Sequence, residues 1–383
     1  PVLADGAGNF TLGLRSPMVE RQGGDAWTVL RWIGSPLDQP IGVAQDDDGR
    51  MYVADEGAHC IRIFLRTGEY IGWLGKADDD SIGYHAGSDP LEPVSGEEAG
   101  AFSSPTAVAV GNTSGGYKGT TRAGSILWVA DTGNDRLQVF DLADLDLAPD
   151  VFTSADIASS DPYGLSRPSG IAASGGMVCV ADTGHHRVLV LYYSYGSLYA
   201  WGWYGSAAGG PGQFQLSYME PGTPTAGSGD LQFSSPMHLS FAVAATTYTE
   251  LLAVADTDNA RAVLVNLSTQ SMLGWIGGEA DGGTGAGWHG PGSGAVPGEG
   301  AGDGRFRMPM GVALSAQDLI VSDAEDDRLE LFSLDAYGAY LFKDGFGTTG
   351  SALGQFDTPL GMTRDADGGV WVCDTDNHRL QKL

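Results

Sequence analysis

A short apolar run, an aspartate, a polar turn and an alternating run recur along this chain, and together they predict its elements. Ile126-Leu-Trp-Val129 leads through Ala130 into Asp131-Thr-Gly-Asn134, and Arg136-Leu-Gln-Val-Phe140 leads away. Apolar β-favouring residues bounded by Asp, Gly and Asn read as strand, tight turn, strand. The pattern returns as Val180-Ala-Asp-Thr-Gly-His-His-Arg-Val-Leu-Val190, as Val254-Ala-Asp-Thr-Asp-Asn-Ala-Arg-Ala-Val-Leu-Val265 and as Val372-Cys-Asp-Thr-Asp-Asn-His-Arg-Leu380. Looser copies are Val321-Ser-Asp-Ala-Glu-Asp-Asp-Arg-Leu329 and Val53-Ala-Asp-Glu-Gly-Ala-His-Cys-Ile61, the last with Cys60 in the arginine position.

Each copy follows a proline and a short apolar strand, such as Pro40-Ile-Gly-Val-Ala44, Pro168-Ser-Gly-Ile-Ala172 or Pro309-Met-Gly-Val-Ala313. Small residues there suit a crowded innermost strand where backbones approach closely. Most copies lead on to a strand ending in an aromatic or apolar residue and Gly, as in Trp73-Leu-Gly75 and Trp275-Ile-Gly277. That makes four strands per unit, six times over, and repeats of this size stack to share a core. The last unit ends at Leu383 with no closing strand, yet Thr28-Val-Leu-Arg-Trp-Ile-Gly34 has the closing-strand pattern. Closing the ring with an N-terminal strand removes exposed sheet edges. The expected fold is all-β: a six-bladed β-propeller of four-stranded antiparallel blades over residues 27–383, its last blade closed from the N-terminus. Residues 1–26 form an arm outside the repeats, either packed over the rim or linking subunits.

Within the turn, the aspartate is expected to fold back onto N–H groups two residues on, with Gly or Asn at the tip taking positive φ. The arginine five residues later should return on the next strand as a bidentate fork on a motif carboxylate. The residues concerned are Asp55; Asp131 with Arg136; Asp182 with Arg187; Asp256 with Arg261; Asp323 with Arg328; and Asp374 with Arg379. A ring of such groups has the chemistry of a ligand site, but recurrence once per unit favours turn construction.

With Pro-x-Gly-Val-Ala, then Val-Ala-Asp-Thr-Gly-Asn-x-Arg-Leu-x-Val-Phe, then an aromatic-Gly closing strand, the chain resembles the NHL repeat family across about residues 27–383. The resemblance implies the propeller fold without fixing an activity, since NHL propellers include scaffolds, RNA-binding modules and a metal-dependent lyase. The lyase members bring inner-strand histidines to a zinc ion in the axial channel. At the matching position this chain has only His238; the other five units have Gly or Ala. Catalytic zinc takes about three protein ligands, so one histidine falls short.

Composition narrows the classes. The net charge of −28, with four lysines (Lys76, Lys118, Lys343 and Lys382), leaves no basic surface for nucleic acid or anionic lipid. No apolar run is long enough for a membrane span. The start at Pro1, without an apolar leader, suits a processed chain or an excised piece alike. Cys60, Cys179 and Cys373 lack Cys-x-x-Cys spacing; Cys179 and Cys373 read as buried hydrophobes, and a Cys60–Cys373 disulfide would require the first and last blades to juxtapose them. Of the remaining histidines, His59, His185, His186 and His378 lie in turns and His85 and His289 in inserts; the vicinal pair His185-His186 could bind a metal, but in a surface turn such a pair is more often solvated. For calcium, Asp46-Asp-Asp-Gly49 and Asp365-Ala-Asp-Gly368 read as hairpin turns, which leaves Asp141, Asp144 and Asp146 as the weak candidates. No nucleophile elbow or phosphate loop occurs.

Three Gly-rich inserts, 76–100, 206–230 and 278–304, are expected on one face together with the turns, where repeat proteins bind partners. Three sequons, at Asn9, Asn112 and Asn266, favour an extracellular, glycosylated protein. The function expected is a non-catalytic interaction or structural module without a cofactor, contacting a protein partner or its own copies through the insert-bearing face and the arm. The alternative is a metal-dependent lyase or hydrolase with its site in the central channel.

Overall fold

The structure, a computed structural model, describes residues 3–4, 10–11, 29–112, 125–157, 161–194, 196–216, 222–244, 249–280 and 286–383. It is a six-bladed β-propeller. Blade 1 consists of strands Pro40–Gln45, Met51–Asp55, Cys60–Phe64 and Tyr70–Ala77, and every neighbouring pair is antiparallel. Blades 2 to 5 repeat that order, beginning at Pro105, Pro168, Pro236 and Pro309. Blade 6 takes Pro359–Arg364, Val370–Asp374 and Arg379–Lys382 from the C-terminus and Arg31–Ile33 from the N-terminus. Arg31 lies opposite Lys382 and Ile33 opposite Leu380, so the ring closes as the sequence pattern requires.

The second strands are apolar at nearly every position because both faces of a blade are covered by its neighbours. Met51–Asp55, Met177–Asp182 and Val370–Asp374 are buried throughout. The core is accordingly divided into layers between blades. Ala172, Val190 and Tyr204 of blade 3 meet Leu239, Val254 and Trp275 of blade 4, while Ile33, Val43 and Trp371 join blades 6 and 1.

At the centre the inner strands come together closely, which explains their glycines. A Cβ on Gly170 would fall 2.0 Å from Met237 O, one on Gly311 would fall 2.1 Å from Leu360 O, and one on Gly361 would fall 2.3 Å from Ile41 O. At the N-terminus, Leu3–Ala4 pairs with Phe10–Thr11. The rest of the proposed arm, with Asn9, lies outside the described residues.

Candidate interaction surface

The turn aspartates accept from backbone N–H groups of the segment leading into the blade, not from those of their own turns as expected. All six are fully buried. In blade 2, Asp131 Oδ1 accepts from Ser103 N at 2.8 Å, two residues before the proline that starts the blade. Asp55, Asp182, Asp256 and Asp374 do the same with Asp38, Ser166, Ser234 and Asp357, and Asp323 accepts from Arg307 and Met308. Each carboxylate thus pins the segment that leads into its own blade. Nor does the turn's Gly take positive φ: that conformation falls on the fourth residue after the aspartate, His59, Asp135, His186, Ala260, Asp327 and His378, at φ 50° to 52°.

Five of those residues, all but Ala260 of blade 4, latch their blade to the next. His59 Nδ1 accepts from Ser104 N, Asp135 from Arg167 N, His186 Nδ1 from Ser235 N, Asp327 from Thr358 N and His378 Nδ1 from Gln39 N. Four turn threonines add a second point, donating to the next blade's proline carbonyl: Thr132 to Pro168, Thr183 to Pro236, Thr257 to Pro309 and Thr375 to Pro40. The positive-φ position turns the rings of His59, His186 and His378 onto the neighbouring blade's backbone, so the solvated His186 expected from the sequence is instead half-buried against blade 4. His185 instead meets Asp182 Oδ2 at 2.9 Å, so the vicinal pair faces different partners.

The arginine fork is also corrected. Arg136, Arg187, Arg261 and Arg379 place only Nε on the motif carboxylate, at 2.6 to 2.7 Å. Their remaining nitrogens point into the preceding interblade segment: Arg136 reaches the carbonyls of Glu97, Glu98 and Ala101, and Arg379 those of Ser351, Ala352 and Gln355. Arg187 does form a fork, but on Asp161, with Nη1 to Oδ1 at 3.0 Å and Nη2 to Oδ2 at 2.6 Å. Arg328 departs from the set, lying 3.8 Å from Asp323 but 2.9 Å from buried Glu330.

His238 remains alone on its inner strand. Its Nδ1 accepts from Val312 N of blade 5 at 3.3 Å, and desolvation by the surrounding protein holds the imidazole down at about 4. Asp141 Oδ1 accepts from Ala143 N inside its own loop, with Asp144 and Asp146 exposed. Among the described residues no three His, Cys, Asp or Glu side chains are grouped to hold a metal ion. Cys60, Cys179 and Cys373 are buried free thiols. Asn266 Oδ1 accepts from Thr269 N in an exposed hairpin, and the Asn112 side chain lies outside the described residues.

The inserts are where this propeller departs from its own repeat. They do not simply gather as loops over the turn-bearing face. Ile82–Ala86, Gly212–Leu216 and Ala286–His289 run antiparallel along the outer strands of blades 1, 3 and 4, adding a fifth strand to each. Two-residue pieces, Pro93–Val94, Pro224–Thr225 and Pro297–Gly298, then pair with the tips of the same outer strands.

All three added strands dock alike. Their aromatic residues Tyr84, Phe214 and Trp288 lie over Gly72, Gly202 and Gly274, where a Cβ would collide with the ring. The residue after each aromatic lies opposite the next tryptophan: His85 on Trp73, Gln215 on Trp203, His289 on Trp275. The two histidines stack on their indoles with centroids 4.1 and 3.9 Å apart, and both are buried. The wedge between diverging blades widens outward, and these rings fill it; Trp288, for one, meets Tyr340 of blade 5. A Gly-Trp pair followed by an aromatic and then His or Gln, twelve residues further on in blades 1 and 3 and fourteen in blade 4, was a signal that the Gly-rich composition hid.

Between the second and third inserts runs an open groove of about 470 Å³ lined by Pro211, Gly212, Asp230, Gly292 and Val296 among others, where Gly292 N donates to Asp230. Taken together, the added strands and grooves are the surface this chain builds beyond what its fold requires.

The NHL repeat matches residues 37–64, 165–191 and 356–383, each spanning the turn motif of its blade. The chain is thus a six-bladed β-propeller in which three blades carry a detected NHL repeat. No curated protein matches the sequence. Among solved structures, the PQQ-bound aldose sugar dehydrogenase from Streptomyces coelicolor is 15% identical with TM-score 0.50, the match covering 93% of this chain and 96% of that one. Virginiamycin B lyase from Staphylococcus aureus is 11% identical with TM-score 0.47, covering 92% and 97%. A nidogen/laminin complex matches at 14% identity and TM-score 0.43, covering 81% and 80%. At such identities the likeness is one of fold.

Proposed function

We propose that this propeller is a non-catalytic interaction or structural module that carries a protein partner, or further copies of itself, on the rim of blades 1, 3 and 4. The observation that supports the reading is the threefold addition of the same docked edge strand to blades that already close a complete ring. An added strand has one paired side and one free side, and a free edge is a surface for another chain. The recurrent turn chemistry is, by contrast, consumed within the fold, since its carboxylates, threonines and arginines bond to backbone. As part of the same proposal the module works outside the cell, a reading supported by the sequons at Asn9, Asn112 and Asn266, and the N-terminal arm takes part in assembly.

Carboxyl-directed cross-linking of the protein in its native extract tests the reading, because the chain has 48 acidic residues to report contacts. Intermolecular links should concentrate on the inserts, at Asp78, Asp80, Asp230, Glu279 and Glu299, and deleting residues 1–26 should reduce assembly while leaving the propeller folded. Links confined to the hairpins at the opposite ends of the blades, around Asp47 and Asp367, would refute it.

A further inference from the structure

Blade 3 carries an aromatic stripe that no other blade repeats. Tyr192 and Tyr199 are directly opposed across its third and outer strands. Trp201 lies two residues along from Tyr199, with its ring 5.6 Å from that of Tyr192 and 4.9 Å from that of Phe214 on the added strand. Tyr199 is 57% exposed and Tyr192 40%, so two of these rings present their surface to solvent. Trp201 and Phe214 pack against the layer shared with blade 4, which sets the stripe along the cleft between the two blades. From the blade 4 side come half-buried Phe241 and exposed Val243.

The stripe is not part of how a blade is built. Counting ten residues on from the turn aspartate, Tyr192 corresponds to Leu65 in blade 1 and Asn266 in blade 4; two residues before the shared tryptophan, Trp201 corresponds to Ile71 and Leu273. Blades 1 and 4 carry the same added strand without these aromatics, so docking that strand does not call for them.

The charge of the cleft has one sign. Glu250 lies opposite Val243 at its edge, and among the described residues no side chain pairs with its carboxylate. Glu250 stands two residues before Leu252 and four before Val254, which pack in the layer shared with blade 3, so it lies on the strand face turned to that blade. Between Arg187 and Arg261 the chain has no lysine or arginine, and both of those guanidinium groups are buried on motif aspartates. The segments that build blades 3 and 4 thus bring no free cation of their own to the cleft.

We propose that the cleft between blades 3 and 4 binds a basic segment of a protein partner, seating an arginine or lysine side chain over Tyr192, Tyr199 and Trp201 with Glu250 as counter-charge. The faces of these rings are negative and attract a cation held within about 6 Å. Arginine also stacks its planar guanidinium on aromatic faces. The chain's net charge of −28 draws basic partners towards it at long range, and the aromatic stripe gives that attraction a place to dock. This inference rests on the rim as interaction surface and names the partner's chemistry.

The test is a titration of the intact protein with a short peptide carrying two arginines and no acidic residue, followed by calorimetry at roughly physiological salt, where long-range attraction is screened beyond about 8 Å. Saturable binding at one site is expected. Tyr199→Leu keeps an apolar side chain at an exposed position and leaves net charge unchanged, yet should weaken binding about tenfold. Glu250→Gln, which changes one charge among many, should weaken it by roughly threefold or more. Equal affinity of wild type and Tyr199→Leu would mean that net charge alone holds the peptide. Equal binding of an uncharged apolar peptide would make the cleft a plain hydrophobic groove. Either result, or no saturable binding, overturns the proposal, while the cross-linking map of the rim stands or falls separately.

Discussion

Arg62 donates through Nε to Asp55 Oδ2 at 3.0 Å, although it stands seven residues after the aspartate where the arginines of the other blades stand five after. The fifth position here is Cys60, whose small thiol is buried against Trp73 and Ala77. Residues two apart on a strand share a face, so the guanidinium moves along the strand and still meets the same carboxylate. The first unit therefore keeps the ion pair without an arginine in the motif position.

Removing that guanidinium leaves a carboxylate with no charge partner in the core. Burial already pushes Asp55 up to about 6, with Arg62 opposing the shift. Arg62→Met should destabilise the fold by about 3 kcal/mol, the usual consequence of stripping one partner from a buried pair. Thermal unfolding would show it, with Arg66→Met as the control. Arg66 pairs with Asp367 at the surface, both side chains more than half exposed, and that variant should unfold close to wild type.

Glu330 occupies a position filled by glutamine in two other blades. In blade 2, Gln138 accepts from Gly100 N and donates to Ala101 O; in blade 6, Gln381 accepts from Gly354 N and donates to Gln355 O. Glu330 accepts likewise from Gly304 N, and burial lifts its carboxyl to about 8 against the opposing charge of Arg328. The folded protein thus holds a proton here that the unfolded chain releases near the ordinary glutamate value of 4.5. Stability from this group is full below about pH 4.5 and is lost as pH rises through 8. Glu330→Gln should remove the dependence, leaving the variant more stable than wild type by roughly 3 kcal/mol at alkaline pH and by little at pH 5. Urea unfolding of both proteins across that range measures the difference, and a constant offset would rule the account out.

Gly170 tests how closely the inner strands pack. Gly170→Ala puts a methyl group 2.0 Å from the Met237 carbonyl oxygen, a backbone atom that cannot swing aside. The strands must part, at a cost of about 1–3 kcal/mol or more. Gly175→Ala is the comparison, because its Cβ meets nothing within 4 Å and only the backbone, at φ 57°, resists. It should lose about 1 kcal/mol. If the two variants unfold at the same temperature, contact between strands is not what selects glycine at 170.

Blade count, strand order and closure were all legible in the sequence, because each rests on local patterning that repeats six times. Partners that lie far along the chain were not. Nothing near Asp131 signals that its carboxylate serves Ser103, 28 residues earlier. The turn histidines are silent for a related reason: nothing near His59, His186 or His378 signals that the next blade supplies Ser104, Ser235 and Gln39 as donors. Single-copy features such as Asp161 beneath Arg187 have no repeat to announce them. The added strands had a repeat, but one present in only half the blades and spaced by glycines, so period-two alternation was too short to register.

His289 makes the clearest test of those added strands. Its ring lies nearly parallel to Trp275, at 17°, and its Nδ1 is 3.7 Å from Glu279. Burial holds the imidazole below its usual range, with the backbone near Gly277 and the Glu279 carboxylate pulling the other way. A histidine whose folded pKa is depressed contributes stability that is present above its unfolded value, about 6.5, and is lost as pH falls through the folded value. Acidification should therefore loosen the Ala286–His289 strand before the rest of blade 4. Amide exchange of Gly287 and Trp288, corrected for its intrinsic pH dependence, should speed up between pH 7 and pH 5 while Val254 and Val263 stay protected. His289→Gln, which copies the Gln215 arrangement of blade 3, should flatten that response, whereas His289→Ala should leave the strand loose at every pH. Were His289→Gln as sensitive to acid as wild type, the strand's pH response would have to come from the acidic residues of the insert instead.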